Sequence, residues 1–169
     1  MLQGLFVMRF ANALLAPVWC RASVASVQIS FKEDIGTAGR GGFFDSYGII
    51  RDVIQNHLTQ VLAFVAMEKP VSVHPDDIRD EKTKLLRCVR PALAADAVLG
   101  QYTAAGGHPG YTDDPTVPEG STAPTFASMV LYIDNGAQAR HFKGREEDDE
   151  KNCGGCRAAG ACIKHSRAP

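Results

Sequence analysis

Little in this sequence is lopsided, and each missing extreme removes a class of function. Eighteen Lys and Arg stand against nineteen Asp and Glu, a formal net charge of −1, so no basic excess offers a nucleic acid an electrostatic footprint. No run approaches the ~20 apolar residues of a membrane-spanning helix. The largely apolar stretch from Phe10 to Trp19 has Arg9 directly before it rather than near Met1, and Pro17 breaks it, which is not the layout of a secretory signal. The five cysteines are odd in number, and three of them crowd into the last twenty residues. That is no secreted disulfide framework.

What is present reads as one globular domain: 169 residues, 45% of them hydrophobic, enough to bury about two-thirds of the unfolded surface. Leu2, Phe6, Phe10 and Leu14 recur every fourth residue, a helix stripe that ends near Pro17. Val27, Ile29 and Phe31 alternate with Gln28, Ser30 and Lys32, the period of a half-buried strand that delivers Glu33 and Asp34 to its end. Gly36-Thr37-Ala38-Gly39-Arg40-Gly41-Gly42 then forms a turn, and a helix opens around Asp45 or Ser46, either of which can cap its first N–H groups. Strand, glycine turn and helix make the setting of a dinucleotide fingerprint, but the order here is G-x-x-G-x-G instead of G-x-G-x-x-G. A phosphate cradle and a plain hinge turn both remain open.

The helix from about Asp45 to Met67 places Ile50, Val53, Leu58, Val61 and Phe64 on an apolar stripe. His57 falls on that stripe, where a hydrogen-bonded core histidine is one reading and a catalyst the other. Asp52 lies five positions earlier, about 140° round an α-helix and about 7.5 Å along it, so the pair can flank a ligand of sugar size without gripping one atom. Asp52, Asn56 and Gln60 share a polar face. A further helix runs from Pro75 or Asp76 to about Arg90, with Asp76, Asp77, Asp80 and Glu81 early and Lys84, Arg87 and Arg90 late, the order a helix dipole favours. Ile78, Leu85 and Val89 form its buried stripe. Val98 to Tyr102 and Thr125 to Ile133 read as strands around a loop from Thr103 to Gly120. Helices and separated strands in this order predict an α+β layer rather than a doubly wound sheet.

After Asn135 a charge block, Arg145 to Lys151, leads into Gly, Ala, Arg and Cys with no apolar periodicity, which predicts disorder. Cys153, Cys156, Cys162 and His165 offer four zinc-type ligands, but at spacings unlike those of zinc fingers or knuckles. The expectation is a compositional cluster and no metal site.

Several segments carry a more specific message. Phe31-Lys32-Glu33, the glycine turn with Phe43-Phe44-Asp45, Gly48-Ile49-Ile50-Arg51-Asp52 through Gln55-Asn56-His57-Leu58, Ala66-Met67-Glu68-Lys69-Pro70, Val98-Leu99-Gly100-Gln101-Tyr102 and Thr112-Asp113-Asp114-Pro115-Thr116-Val117-Pro118 together closely resemble the sugar-binding half of glucose-6-phosphate dehydrogenases. The resemblance covers about Leu5 to Asn135. It implies a partial C-terminal domain of that enzyme over 1–135, with helices packed on a mostly antiparallel sheet, followed by a divergent, disordered tail over 136–169. By resemblance, His57 is the general base that takes the proton from the C1 hydroxyl of glucose 6-phosphate, and an imidazole suits this because its pKa lies near the working pH. Glu33 and Asp52 hold sugar hydroxyls by charge-assisted hydrogen bonds. NADP is the implied cofactor, a homo-oligomer the implied assembly, and the cytoplasm, or alternatively the plastid stroma, the implied compartment.

Departures from the family shape the expectation as much as matches. The Rossmann domain that binds NADP has no counterpart in the chain, nor does the Asp-His-Tyr-Leu-Gly-Lys-Glu stretch expected before Met1. Downstream, Gly136-Ala137-Gln138-Ala139-Arg140 replaces the Arg-Trp-x-Gly-Val-Pro-Phe continuation. The resemblance therefore implies an internal piece of an NADP-dependent oxidoreductase, inactive by itself. The alternative is an interaction module that pairs with full-length subunits, and a zinc-binding tail protein is a third reading.

Overall fold

The structure is a computed structural model, and it describes residues 2–20, 23–24, 26–33, 35–37 and 39–134 together with the backbone of Gly160–Ile163. Its helices are α1 (Leu2–Phe10), α2 (Gly41–Ile49), α3 (Thr59–Ala66) and α4 (Pro75–Leu86), with a π-helical segment, Ile50–Leu58, between α2 and α3. Strands β1 (Ala97–Gly100), β2 (Phe126–Val130) and β3 (Gly160–Ile163) form one sheet in the order β1-β2-β3. β1 and β2 are antiparallel, with Ala97 opposite Met129 and Gly100 opposite Phe126. The α+β class is as the sequence predicts. Within the tail read as disordered, Gly160–Ile163 forms β3; the rest of that tail lies outside the described residues.

The chain divides into two compact units. In the first, from residues 2–28, 61–91 and 131–134, Ala63, Met67 and Leu85 are buried beneath Phe6, Phe10, Phe64, Ala66, Ile78 and Ile133. Arg9 crosses this unit, donating to the Phe64 carbonyl at 2.8 Å while its guanidinium lies over the Phe10 and Trp19 rings. Burial lowers its pKa to about 10, against a smaller opposing pull from Glu68. α1 stops at Phe10, short of the expected stripe: the Asn12 side chain accepts the Leu14 N–H at 3.0 Å, an Asx turn that competes with the helix, and Leu14 is left 84% exposed. α4 begins as expected, with Pro75 in its first turn, Asp76 and Asp77 beside it and Lys84 in the last. It ends at Leu86 rather than near Arg90: the Cys88 and Val89 N–H groups bond the carbonyls of Leu85 and Leu86, three residues back, and Pro91 disfavours the helical conformation at Arg90. Val89 instead pairs with Ile133, and the Arg90 N–H donates to the Tyr132 carbonyl at 2.8 Å.

In the second unit, from residues 29–60 and 92–130 with part of β3, the core is Ile49, Val53, Ile54, Leu58 and Ala127, covered by Ile29, Phe31, Phe44, Ile50 and Met129. Val27 to Phe31 shows the alternating exposure that the sequence predicts, but only Gln28 makes a bridge, so the segment is extended chain and not a strand. β1 lies one residue earlier than expected and ends at Gly100. Beyond it the Tyr102 N–H bonds the Thr125 hydroxyl at 2.9 Å in place of a ladder partner.

The long helix expected over Asp45 to Met67 is three pieces. α2 opens at Gly41, not at Asp45 or Ser46, and Ser46 turns its hydroxyl back onto the Phe43 carbonyl at 2.7 Å. Gly48 then leaves helical geometry at φ 69° and ψ 164°, a region essentially closed to side-chain-bearing residues. The break frees the Ile49 N–H to bond the Pro124 carbonyl at 3.2 Å. From Ile50 the backbone runs as a π-helix, the element that carries Asp52 and His57.

Candidate functional site

A π-helix closes its hydrogen bonds over five residues instead of four, so each residue turns the chain less far than in an α-helix. At its end the Thr59 N–H bonds the Ile54 carbonyl. Asp52 and His57, split by about 140° on an α-helix, thereby stand closer together round this segment, with Asn56 near Asp52. Val53, Ile54 and Leu58 are buried, whereas Arg51, Gln55, Asn56 and His57 are exposed and Asp52 is half-buried. His57 is exposed, so it is not the core histidine that an α-helical stripe allows. Gln60, expected on the face of Asp52 and Asn56, is likewise exposed.

Glu33 is exposed on the extended chain, two residues after Phe31 anchors that chain to the core. No hydrogen bond or ion pair among the described residues ties it to Asp52 or His57. Asp34, its neighbour, lies outside the described residues.

The glycine turn is closed by a carboxylate. Asp114 accepts the Thr37 hydroxyl at 2.6 Å and the Gly39 N–H at 3.1 Å on one oxygen, and the Thr116 hydroxyl at 2.6 Å and N–H at 2.9 Å on the other. The Gly42 N–H goes to the Thr116 hydroxyl at 3.2 Å. A Cβ on Gly42 would sit 2.6 Å from the Thr116 carbonyl oxygen, so the close approach requires glycine there. These amides are spent on protein acceptors, and a negative carboxylate occupies the place where a phosphate would need positive potential. Of the two readings of the turn, the hinge fits and the phosphate cradle does not. The hydrogen bonds from the Thr116 and Thr37 hydroxyls hold the Asp114 carboxyl well below the usual carboxylate range.

A second carboxylate braces α2 from below. The phenol of fully buried Tyr111 donates to Asp45 at 2.9 Å, and Ser121 also bonds Asp45. Burial first, and then the bond to Asp45, push the Tyr111 phenol well above its ordinary range. Asp45, expected as a helix cap, is instead this acceptor. Beside the glycine turn, Ile35, Thr37, Tyr102, Pro109, Asp113 and Asp114 line an open cleft of about 410 Å³. Sequence reasoning missed Asp114 as an organiser, although Asp-Pro-Thr is a turn signature in which an aspartate bonds the backbone two residues on.

Among the described residues no three His, Cys, Asp or Glu side chains form a group able to hold a metal ion. Cys153, Cys156 and His165 lie outside those residues, and of Cys162 only the backbone in β3 is described. No described helix is long and apolar enough to cross a membrane.

Residues 6–139 match the family described as glucose-6-phosphate dehydrogenase, C-terminal domain. The chain is 57% identical over 137 residues to the glucose-6-phosphate 1-dehydrogenase of Dictyostelium discoideum, covering 80% of this chain and 28% of that protein. It is also 57% identical over 135 residues to glucose-6-phosphate 1-dehydrogenase 5, cytoplasmic, of Arabidopsis thaliana, covering 80% of this chain and 25% of that one. A solved glucose-6-phosphate dehydrogenase in complex with its substrate glucose-6-phosphate superposes with a TM-score of 0.75 at 40% identity, over 96% of this chain and 31% of its own. The chain thus spans between a quarter and a third of the length of these relatives.

Because the folded-state pKa of Asp114 lies below its unfolded value of about 3.9, the stability it contributes is fully present above that value and is lost as pH falls through the folded one. The urea midpoint of Asp114→Asn should lie below that of the unsubstituted chain at pH 7, with a gap that stays constant down to about pH 5 and narrows below about pH 4. A gap of the same size at pH 3 and pH 7 would remove Asp114 as the charged clasp of the turn.

Proposed function

The chain belongs to the glucose-6-phosphate dehydrogenase family, as part of its C-terminal domain, and on that premise we propose that it carries the sugar-facing residues of the NADP-dependent oxidation of glucose 6-phosphate to 6-phosphogluconolactone. The observation that carries the reading is the shared, accessible face of Asp52 and His57 on the π-helical segment. His57 accepts the proton of the C1 hydroxyl as C1 is oxidised and its oxygen becomes the lactone carbonyl. Asp52 and Glu33 accept hydrogen bonds from ring hydroxyls, which fixes the sugar so that C1 meets the imidazole. Glucose 6-phosphate as substrate draws support from the solved relative that holds it, and the names of the relatives support a cytoplasmic setting and a plastid one alike.

The nucleotide does not fit the described residues. The glycine turn before α2 has the wrong order for a pyrophosphate cradle, and Asp114 and Thr116 occupy its amides. The reading therefore gives this chain the sugar and the proton, and no step through NADP. By itself the chain should be inactive.

A second reading draws on β1, which lies at an edge of the sheet with Val98 65% and Leu99 51% exposed. Unpaired edges with apolar side chains recruit other chains, so the chain also acts as a module that joins full-length subunits or its own copies. Light scattering should detect a dimer or larger species; a clean 18.2 kDa monomer, alone and in the presence of a full-length relative, would end this reading.

The principal test is a graft. Replacing the corresponding segment of a complete relative with Leu5 to Asn135 should preserve oxidation of glucose 6-phosphate, whereas the 169-residue chain alone should show none. Within the graft, His57→Asn should lower kcat by at least about 100-fold, the scale of a general base, with a much smaller change in KM. Asp52→Ala should also raise KM. A His57→Asn graft of full activity would show that His57 is not the base.

A further inference from the structure

Thr59 stands where the π-helical segment gives way to α3. Its hydroxyl donates at 2.8 Å to the carbonyl of Ile54, five residues back, and the same carbonyl takes the Thr59 backbone N–H. In an ordinary helix a threonine hydroxyl reaches the carbonyl three or four residues back. Here both donors of one residue converge on the acceptor that defines the wider turn.

The two registers open to this residue are not equivalent. In an α-helical register the acceptor would be the carbonyl of Gln55, an exposed residue, where water competes for the bond. In the π register it is that of Ile54, 4% exposed and packed in the core. A hydrogen bond shielded from water is the stronger of the two, and Thr59 is itself half-buried. The hydroxyl therefore favours the five-residue register at the point where the chain would otherwise return to the commoner α-helix. Upstream, Gly48 and the bond from the Ile49 N–H to the Pro124 carbonyl fix the other end.

We infer that Thr59 is a positioning residue: its hydroxyl holds the π register that keeps Asp52 and His57 on one face. The register stands on the hydrogen bonds alone, while its consequence for turnover rests on the function proposed above. Thr59→Val removes the hydroxyl and keeps the β-branched shape, and Thr59→Ser keeps the hydroxyl and removes the methyl.

In the 169-residue chain, NMR couplings across hydrogen bonds identify the carbonyl that accepts the Thr59 N–H. The unsubstituted chain and Thr59→Ser should couple residue 59 to Ile54, and Thr59→Val and Thr59→Ala should couple it to Gln55. In the active graft, Thr59→Val should lower kcat/KM by about 10- to 100-fold, the scale of a misplacement of ~1 Å, and Thr59→Ser should restore it. Coupling to Ile54 retained without the hydroxyl, or a changed register with kcat/KM intact, overturns the inference. Coupling of the unsubstituted chain to Gln55 does so too, without recourse to any variant. Failure of the underlying function has a different signature, an active His57→Asn graft with the coupling pattern unchanged.

Discussion

The hydrogen-bond repeat of Ile50–Leu58 decides which residues this domain buries and which it presents. With an α-helical repeat, Asp52 and His57 would stand about 140° apart. With the π repeat, Val53, Ile54 and Leu58 face Ala127 in the core, and Asp52, Asn56 and His57 share the outer side. π-Helical turns are rare and concentrate at functional sites, because they give up some hydrogen-bond quality for a side-chain arrangement the α-helix does not provide. Here that arrangement puts a carboxylate, an amide and an imidazole on one accessible surface.

The surroundings of the segment bear on the same constraint. Gly48 breaks α2 so that the next residue can bond Pro124, and the loop around Pro124 is in turn tied to α2 through Ser121 and Tyr111 on Asp45. The glycine turn before α2 is closed onto Asp114, which spends the amides that a phosphate would need. A turn that resembles a nucleotide site by element order is therefore a structural clasp.

Much of this was legible in the sequence. Charge order and Pro75 gave the start of α4, period-two alternation gave the extended run from Val27 to Phe31, and the residues around Val98 and Phe126 gave two strands, the second of which ends at Val130, three residues short of the expected Ile133. The breaks were harder to see. Gly48 lies inside a run that otherwise reads as helix, and only its backbone angles reveal the kink. The π register leaves a fainter trace: Ile49, Val53 and Leu58 are spaced by four and five residues, nearer to a π than to an α period. Judged against a period of 3.6, that spacing put His57 on the wrong face. Asp114 escaped notice because an Asp-Pro-Thr turn predicts a local bond, whereas its partners Thr37 and Gly39 lie more than seventy residues away in sequence.

The shared face of Asp52 and His57 can be measured without turnover. Asp52→His in the 169-residue chain places a second imidazole five residues before His57, and two imidazoles on one face bridge a Ni²⁺ ion. Such a site stabilises the folded chain as nickel rises, by about 2.7 kcal/mol at one hundred times its dissociation constant. The π-helical placement predicts a nickel-dependent rise in the urea midpoint of Asp52→His well beyond that of the unsubstituted chain. On an α-helix the two imidazoles would stand about 140° apart, and equal nickel responses from the two proteins would contradict the placement on which the proposed chemistry depends.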